Sequence, residues 1–157
     1  MDATASREPM WDRACHIQGQ MFEETATLGS LDVQLVSYRG FMEFTATPWT
    51  SNAQDLLSHM TLIHCAAGQT QITRILKHGV SETRQKPVQA LIFVGDAMEE
   101  DPIVLNRVAG QLGLLGTPIF MFQDGSDPIV GRAFRDISRL SNGAYCRFDA
   151  TSAERLR

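Results

Sequence analysis

Two alternating stretches of apolar and polar residues predict the first elements of this chain. Residues 31–38, LDVQLVSY, alternate apolar and polar positions, which is typical of a strand with one exposed face. Arg39-Gly40 predicts a turn, and the strand-like residues 41–47 predict the returning strand. We therefore expect a hairpin over residues 31–47, with residues 41–47 as an edge strand.

The apolar period changes to that of a helix after Pro48. Ser51 and Gln54 have the spacing of a capping box, in which side chains satisfy backbone N–H groups at a helix start. The sequence thus predicts an amphipathic helix directly after the hairpin. Its apolar face is formed by Leu56, Leu57, Met60 and Ile63.

The second half alternates continuous apolar runs with helical stretches. Residues 88–95 and 117–123 are too continuously apolar for half-exposed strands and favour parallel strands buried on both faces. Residues 143–149 predict a shorter third strand. The helical stretches between them both begin with the letters DPIV, at Asp101 and Asp127. An Asp N-cap followed by proline at the first helical position predicts a helix start at each.

Strands that alternate with helices predict an α/β fold that is Rossmann-like and doubly wound. Its sheet is expected to be mostly parallel, with helices on both faces and the hairpin adding one antiparallel edge strand. The chain has 157 residues and no linker or repeat, so we predict a single domain over residues 1–157. A capping box at Thr151 and Glu154 predicts a last helix that the end of the chain cuts short.

Composition narrows the class of partner. The net charge is −4 and no basic run occurs, so no nucleic-acid partner is predicted. Apolar runs fall short of the ~20 residues that a membrane helix needs, and the start lacks the pattern of a signal peptide. The odd number of cysteines argues against a disulfide framework and fits a reducing compartment, so we expect a cytoplasmic protein. They are Cys15, Cys65 and Cys146.

Oxygen-bearing side chains occur where a doubly wound sheet binds its ligands, after the carboxyl ends of strands. Asp2, Thr4 and Ser6 alternate in the opening letters DATAS, Thr70 lies in a glycine-containing loop, and Asp96 follows a buried strand. Taken singly, each also fits a loop or helix cap. Their order along the chain favours a site. Carboxylates and hydroxyls suit Mg²⁺ or Mn²⁺, whereas zinc prefers nitrogen or sulfur.

The same five residues, in this order, resemble the metal-ion-dependent adhesion site (MIDAS) of the von Willebrand factor type A (VWA) domain, in a bacterial stand-alone form. That motif reads D-x-[ST]-x-S, then a Thr in a glycine-containing loop, then an Asp after the next core strand. The resemblance continues through residues 117–125, TPIFMFQDG, and residues 140–149, LSNGAYCRFD. VWA domains place their last two strands there, so the resemblance covers essentially the whole chain.

The resemblance implies a metal-dependent protein-interaction module with no catalytic residues. Thr4, Ser6 and Thr70 would contact Mg²⁺ or Mn²⁺ through their hydroxyls, and Asp2 and Asp96 would act largely through bound water. Neutral hydroxyls leave the charge of the ion poorly compensated, so an acidic side chain of a partner protein would complete the site. The partners implied for bacterial VWA domains include AAA+ ATPases, metal-chelation complexes and stress-response clusters.

Two alternative functions stay open. The first is a VWA scaffold that binds its partner without metal. The second is a Mg²⁺-dependent phosphatase like the haloacid dehalogenases, with Asp2 as nucleophile. That enzyme needs an acid two positions later, where this chain has Thr4, which cannot act as a general acid near neutral pH. The two lysines, Lys77 and Lys86, also lie outside any loop suited to phosphate.

The start of the chain departs from the VWA pattern. The family has a central strand before its first motif, but Asp2 has one residue upstream, where a strand needs about five. We therefore expect the first central strand to be missing from this sequence. Either the start is misassigned, or the chain is a fragment, or another segment or subunit fills the gap. The strand at residues 88–95 would then lack a neighbour. Asp2 and Thr4 would lie on a frayed terminus that binds metal weakly.

Glu99 and Glu100 follow Asp96 closely. Their simplest interpretation is that of acids ahead of the helix at Asp101, favoured by the dipole of that helix. A second interpretation is that they line the rim of the metal site and tune it.

Overall fold

The computed structural model describes residues 1–5, 15–16, 19–20 and 31–148. The described residues form two compact units. The hairpin unit contains Met1 and the described part of residues 3–69, and the sheet unit contains Asp2 and residues 70–148. No helix in these described ranges is long and apolar enough to cross a membrane. A single domain over residues 1–157 stays a prediction, and the Thr151–Glu154 capping box lies outside the described residues.

The predicted hairpin is present in the hairpin unit. Strand β1 (Val36–Arg39) pairs antiparallel with strand β2 (Glu43–Ala46). Gly40 opens the turn between them with a φ of +57°, a conformation that glycine adopts at no steric cost. Val33 and Thr50 exchange backbone hydrogen bonds of 2.8 and 2.9 Å, so the two arms stay paired beyond the regular strands.

Helix α1 (Ala53–Thr61) follows the hairpin, as predicted, but a different residue caps it. The side chain of Asn52 accepts hydrogen bonds from two backbone N–H groups of the first turn, at 2.8 and 3.4 Å. The predicted capping box of Ser51 and Gln54 is therefore wrong by one residue. Both Asn and Ser are good N-caps, and the start of the helix one position later makes Asn52 the residue in place.

The opening residues of the hairpin unit are buried and paired. The N–H of Ala3 donates to the carbonyl of Tyr38 at 2.9 Å, and the N–H of Tyr38 donates to the carbonyl of Met1 at 3.2 Å. Thr4 forms a parallel bridge with Ala66. The expected fraying of this terminus is thus contradicted. The apolar core that includes the start contains Met1, Ala3, Cys15, Leu35, Leu56 and Met60.

The sheet unit is an α/β layer structure and confirms the predicted fold class. Its three parallel strands occur in the order β3-β4-β5: β3 (Leu91–Gly95), β4 (Ile119–Asp124) and β5 (Ala144–Phe148). Three helices alternate with them: α2 (Ile72–Gln85), α3 (Pro102–Leu114) and α4 (Pro128–Leu140). The largest fully buried side chains of this unit are Phe93, Phe134, Ile72, Leu76, Leu105, Leu112, Ile119, Met121 and Ile137.

Strand β3 begins three residues later than the apolar run predicts. Pro87 has no N–H to donate, and the carbonyl of Val88 accepts a hydrogen bond from the Thr117 hydroxyl at 2.9 Å. Regular pairing then begins with Leu91, whose N–H donates to the carbonyl of Pro118 at 2.9 Å.

The repeated DPIV letters act as predicted at two helix starts. The side chain of Asp101 accepts from the N–H of Ile103 at 2.9 Å, and that of Asp127 accepts from the N–H of Ile129 at 2.8 Å. The proline occupies the first turn of each helix. Both isoleucines are 70% exposed, so the apolar side chain at this position does not serve the core.

The sheets differ from the expected single sheet in one respect. Within the described ranges, β1 and β2 form a two-stranded sheet of their own, and β3 is the edge of the three-stranded sheet. The N–H of Asp2 donates to the Val94 carbonyl of β3 at 3.1 Å, so Asp2 is bonded to this edge strand.

Candidate metal site

Asp2 lies against the carboxyl end of β3. Its side chain is 0% exposed, and its backbone is held by the hydrogen bond to Val94. A Cβ at Gly95 would lie 2.7 Å from the ring of Phe93 and 3.3 Å from the Cβ of Asp2. Glycine at position 95 therefore lets Asp2 approach the strand at the residue directly before Asp96. The two predicted acids thus lie at the same strand end.

Asp96 has a buried carboxylate oxygen that could bind a cation. Its Oδ1 is buried and has no hydrogen-bond partner among the residues that the structure describes. An unsatisfied buried polar group costs about 1–3 kcal/mol. A cation, or a water bound to it, would satisfy this oxygen, so Asp96 fits a metal site.

Thr70 is buried, and its polar atoms are oriented by one partner. Its N–H donates to Oε2 of Glu99 at 3.0 Å, and its hydroxyl accepts from the N–H of Glu99 at 3.1 Å. A hydroxyl oxygen has two acceptor sites, so the bond from Glu99 leaves one for a cation. Thr70 thus fits the role of a neutral oxygen ligand.

The sheet unit therefore holds three of the five predicted ligands. Asp2, Thr70 and Asp96 supply only oxygen, which suits Mg²⁺ or Mn²⁺. No group of three or more His, Cys, Asp or Glu side chains in the described ranges could hold a metal ion, so a site here needs hydroxyl ligands. Thr4 is buried in the hairpin unit, and Ser6 lies outside the described residues. Shared ligation by all five stays a prediction.

Glu99 and Glu100 do not serve the helix that the sequence suggests. Glu100 accepts hydrogen bonds from the N–H groups of Ile72 and Thr73, at 2.6 and 2.8 Å, so it caps α2 and not α3. The N-cap residue of α2, Gln71, makes no side-chain cap bond. The absence of a good capping residue before α2 was the only signal in the sequence that an outside acid would be needed.

Gln123, another polar residue at a strand end, has a structural role. Its side-chain amide donates to the Asp127 carbonyl at 2.8 Å and accepts from the Tyr145 hydroxyl at 2.6 Å. These bonds fix the start of α4 against β5. Gln123 is buried, and both its amide nitrogen and its amide oxygen have a protein partner, so we do not assign it to the metal site.

The comparisons with known proteins rest on solved structures, because no protein-family profile and no curated protein matches the sequence. The chain is similar to the SpRpn10 VWA domain, with 11% identity, a TM-score of 0.75, and coverage of 99% of this chain and 89% of that one. It is also similar to proximal thread matrix protein 1 of the mussel byssus, in a structure with a zinc-occupied MIDAS motif. That match has 15% identity and a TM-score of 0.71, and covers 99% of this chain and 42% of the byssus protein. At these identities the likeness establishes the fold.

Proposed function

We propose that this chain, which has the fold of VWA domains, is a metal-dependent protein-interaction module and not an enzyme. The observation that carries the proposal is the buried Asp96 Oδ1, which has no hydrogen-bond partner in the described part of the chain. The buried Asp2 at the same strand end adds a second carboxylate, and Thr70 adds an oriented hydroxyl. Thr4 and Ser6 complete the proposed ligand set.

The proposed ion is Mg²⁺ or Mn²⁺. When bound, it supplies a positive charge that a partner's carboxylate neutralises by direct coordination. In the proposed site, Asp2 and Asp96 would accept hydrogen bonds from water molecules that are bound to the ion. The neutral hydroxyl ligands would leave much of the charge of the ion uncompensated. The byssus protein carries zinc at its own MIDAS, which supports a divalent cation at this motif. The oxygen-only ligand set of this chain favours a harder ion than zinc.

The surface beside Asp96 suits a protein partner. Helices α3 and α4 begin after β3 and β4, at the carboxyl edge of the parallel sheet, and the second residue of each is an isoleucine that is 70% exposed. These two helices contact each other, so Ile103 and Ile129 offer apolar side chains at the starts of neighbouring helices. We propose that they flank the partner's acidic residue.

The proposed partner class is a protein with an exposed Asp or Glu between apolar residues. An AAA+ ATPase of the same cell and a cytoplasmic location stay predictions. The metal-independent scaffold remains the second candidate. The buried N-terminal residues and the exposed isoleucines are equally compatible with binding a partner without metal.

Calorimetric titration of Mg²⁺ and Mn²⁺ into the purified chain tests the site. We expect one ion per chain and at least ~10-fold weaker binding in Asp96→Ala and Thr70→Ala. Thr70→Ala removes a direct ligand, and Asp96→Ala removes a carboxylate that bonds water coordinated to the ion. Asp136→Ala is the matched control: it also removes one acid, from an exposed pair with Arg139 on α4. Equal binding by all four proteins contradicts the metal site and leaves the metal-independent scaffold.

Water-proton relaxation of the Mn²⁺ complex tests the open coordination position. Acetate should displace bound water and lower the relaxation enhancement, whereas the neutral isostere acetamide should not. Equal responses to both contradict a carboxylate partner. Metal-dependent turnover of a general phosphatase substrate, lost in Asp2→Asn, would instead establish the phosphatase.

A further inference from the structure

The loop that follows β3 is bonded to the start of α2 by two neighbouring acids. Glu99 accepts the N–H of Thr70 and donates its own N–H to the Thr70 hydroxyl, at 3.0 and 3.1 Å. Glu100 accepts the N–H groups of Ile72 and Thr73, at 2.6 and 2.8 Å. All these residues belong to the sheet unit. Four hydrogen bonds thus join segments that are 27–29 residues apart in sequence.

Helix α2 needs these bonds because its own sequence does not cap it. The first N–H groups of a helix have no partner within it. Gln71 makes no side-chain cap bond, and the first turn of α2 contains no acid. A carboxylate at this end is also favoured by the helix dipole. Glu100 therefore performs from another loop what Asp101 and Asp127 perform locally for α3 and α4.

Glu99 acts on the residue that carries the proposed ligand. The two hydrogen bonds between Glu99 and Thr70 run in opposite directions, so they fix both the backbone and the hydroxyl of Thr70. Glu99 is three residues after Asp96. The same short loop thus holds one proposed ligand and orients another.

We propose that Glu99 and Glu100 are positioning residues that tie the Thr70 loop to the Asp96 loop. The effect of these residues on metal binding rests on the proposed function. The four hydrogen bonds that join the two loops, called the tie below, are present in the metal-free chain. Positioning partners of metal ligands change metal affinity by 10–100-fold when removed. We expect each tie to contribute within that range, without Glu99 or Glu100 touching the ion.

The experiment compares alanine and glutamine variants of both acids by two measurements: Mn²⁺ affinity and amide hydrogen exchange without metal. Glu99→Ala should weaken Mn²⁺ binding about 10-fold and accelerate exchange at Thr70. Glu100→Ala should accelerate exchange at Ile72 and Thr73 and weaken binding about as much. Asp136→Ala again serves as the control and should match the original chain in both.

The glutamine variants separate the two roles. A single oxygen of Glu99 accepts the Thr70 N–H, so Glu99→Gln retains its acceptor and should stay within about 2-fold of the original affinity. The two oxygens of Glu100 accept one N–H each. Glu100→Gln replaces one of them with an NH₂ group, which cannot accept, so it should lose one of the two bonds and fall between the original chain and Glu100→Ala.

The two measurements show separately whether the positioning role of Glu99 and Glu100 is wrong and whether the proposed metal site is wrong. If the original chain binds Mn²⁺ and both alanine variants bind as tightly as Asp136→Ala, the positioning role is overturned. If the original chain binds no Mn²⁺, the proposed function fails, and exchange alone decides the tie. Faster exchange at Thr70, Ile72 and Thr73 in the respective variants then supports the tie, and unchanged exchange overturns it.

Discussion

The hairpin unit and the sheet unit bury their strands to different degrees. In the hairpin unit, β2 exposes three of its four residues, and the apolar core contains Met1 and Ala3 from the very start of the chain. In the sheet unit, β4 buries five of its six residues, and the helices α3 and α4 stand directly before and after it in sequence. From Ile72 to Phe148 the sheet unit is thus built from elements that follow one another in sequence, whereas the hairpin unit pairs β1 with residues more than thirty positions earlier.

The largest expected effect lies in the core of the sheet unit. Phe134 is fully buried and meets Phe93 edge to face, with ring centroids 5.6 Å apart. Phe134→Ala should lower the free energy of unfolding by about 3–5 kcal/mol, because it leaves a cavity. The matched change Phe41→Ala, at the tip of the hairpin and 74% exposed, should shift it by less than about 0.5 kcal/mol. Urea denaturation of both variants checks this contrast, and similar losses would contradict it.

A smaller effect tests whether the start of the chain is part of the hairpin core. Ala3 is fully buried, so Ala3→Leu should overfill its site and cost about 1–3 kcal/mol of unfolding free energy. Ala46→Leu, at an exposed position of β2, is the control and should be near neutral. If thermal denaturation gives the same stability for both variants, residues 1–4 are not packed as described.

The corrected helix cap gives a third contrast. Asn52→Ala removes the side chain that accepts two N–H groups of α1 and should cost about 1 kcal/mol of unfolding free energy. Ser51→Ala removes the hydroxyl of the predicted capping box and should cost almost nothing. Chemical denaturation of the pair decides between the two caps: a larger loss in Ser51→Ala would restore the sequence-based one.

The smallest stability effect is also the most diagnostic of the metal site. Asp96→Ala removes a buried oxygen that has no hydrogen-bond partner in the described ranges, so the metal-free chain should keep its stability or gain about 1 kcal/mol. The original chain should be stabilised by millimolar Mg²⁺, since a ligand that binds only the folded state stabilises it. The Asp96→Ala variant should not be stabilised by Mg²⁺. A large loss of stability in metal-free Asp96→Ala would instead assign Asp96 a structural role.

Much of the fold could be predicted because its signals are local. The apolar runs of β3 and β4 indicate strands buried on both faces. Asp101-Pro102 and Asp127-Pro128 indicate helix starts, because each Asp side chain accepts a hydrogen bond from the N–H group two residues later. The hairpin of β1 and β2 followed from its alternation and its glycine turn. The candidate metal ligands were selected from their order along the chain and stay a prediction, and the structure shows that Asp2 lies at the end of β3, where Asp96 follows.

The roles that could not be predicted depend on contacts between distant segments. No local pattern indicates that Glu100 caps α2, which begins 28 residues earlier. Its position in the sequence assigns it instead to α3, the helix that follows it directly. Nor does a start of four residues show that it will be buried, because four residues carry no period. The sequence by itself determined the elements, the fold class and the candidate ligands, since propensity and spacing act within a few residues. Only the tertiary structure decided how Thr70 is oriented and why the first residues are ordered, because both depend on hydrogen bonds between segments that folding brings together.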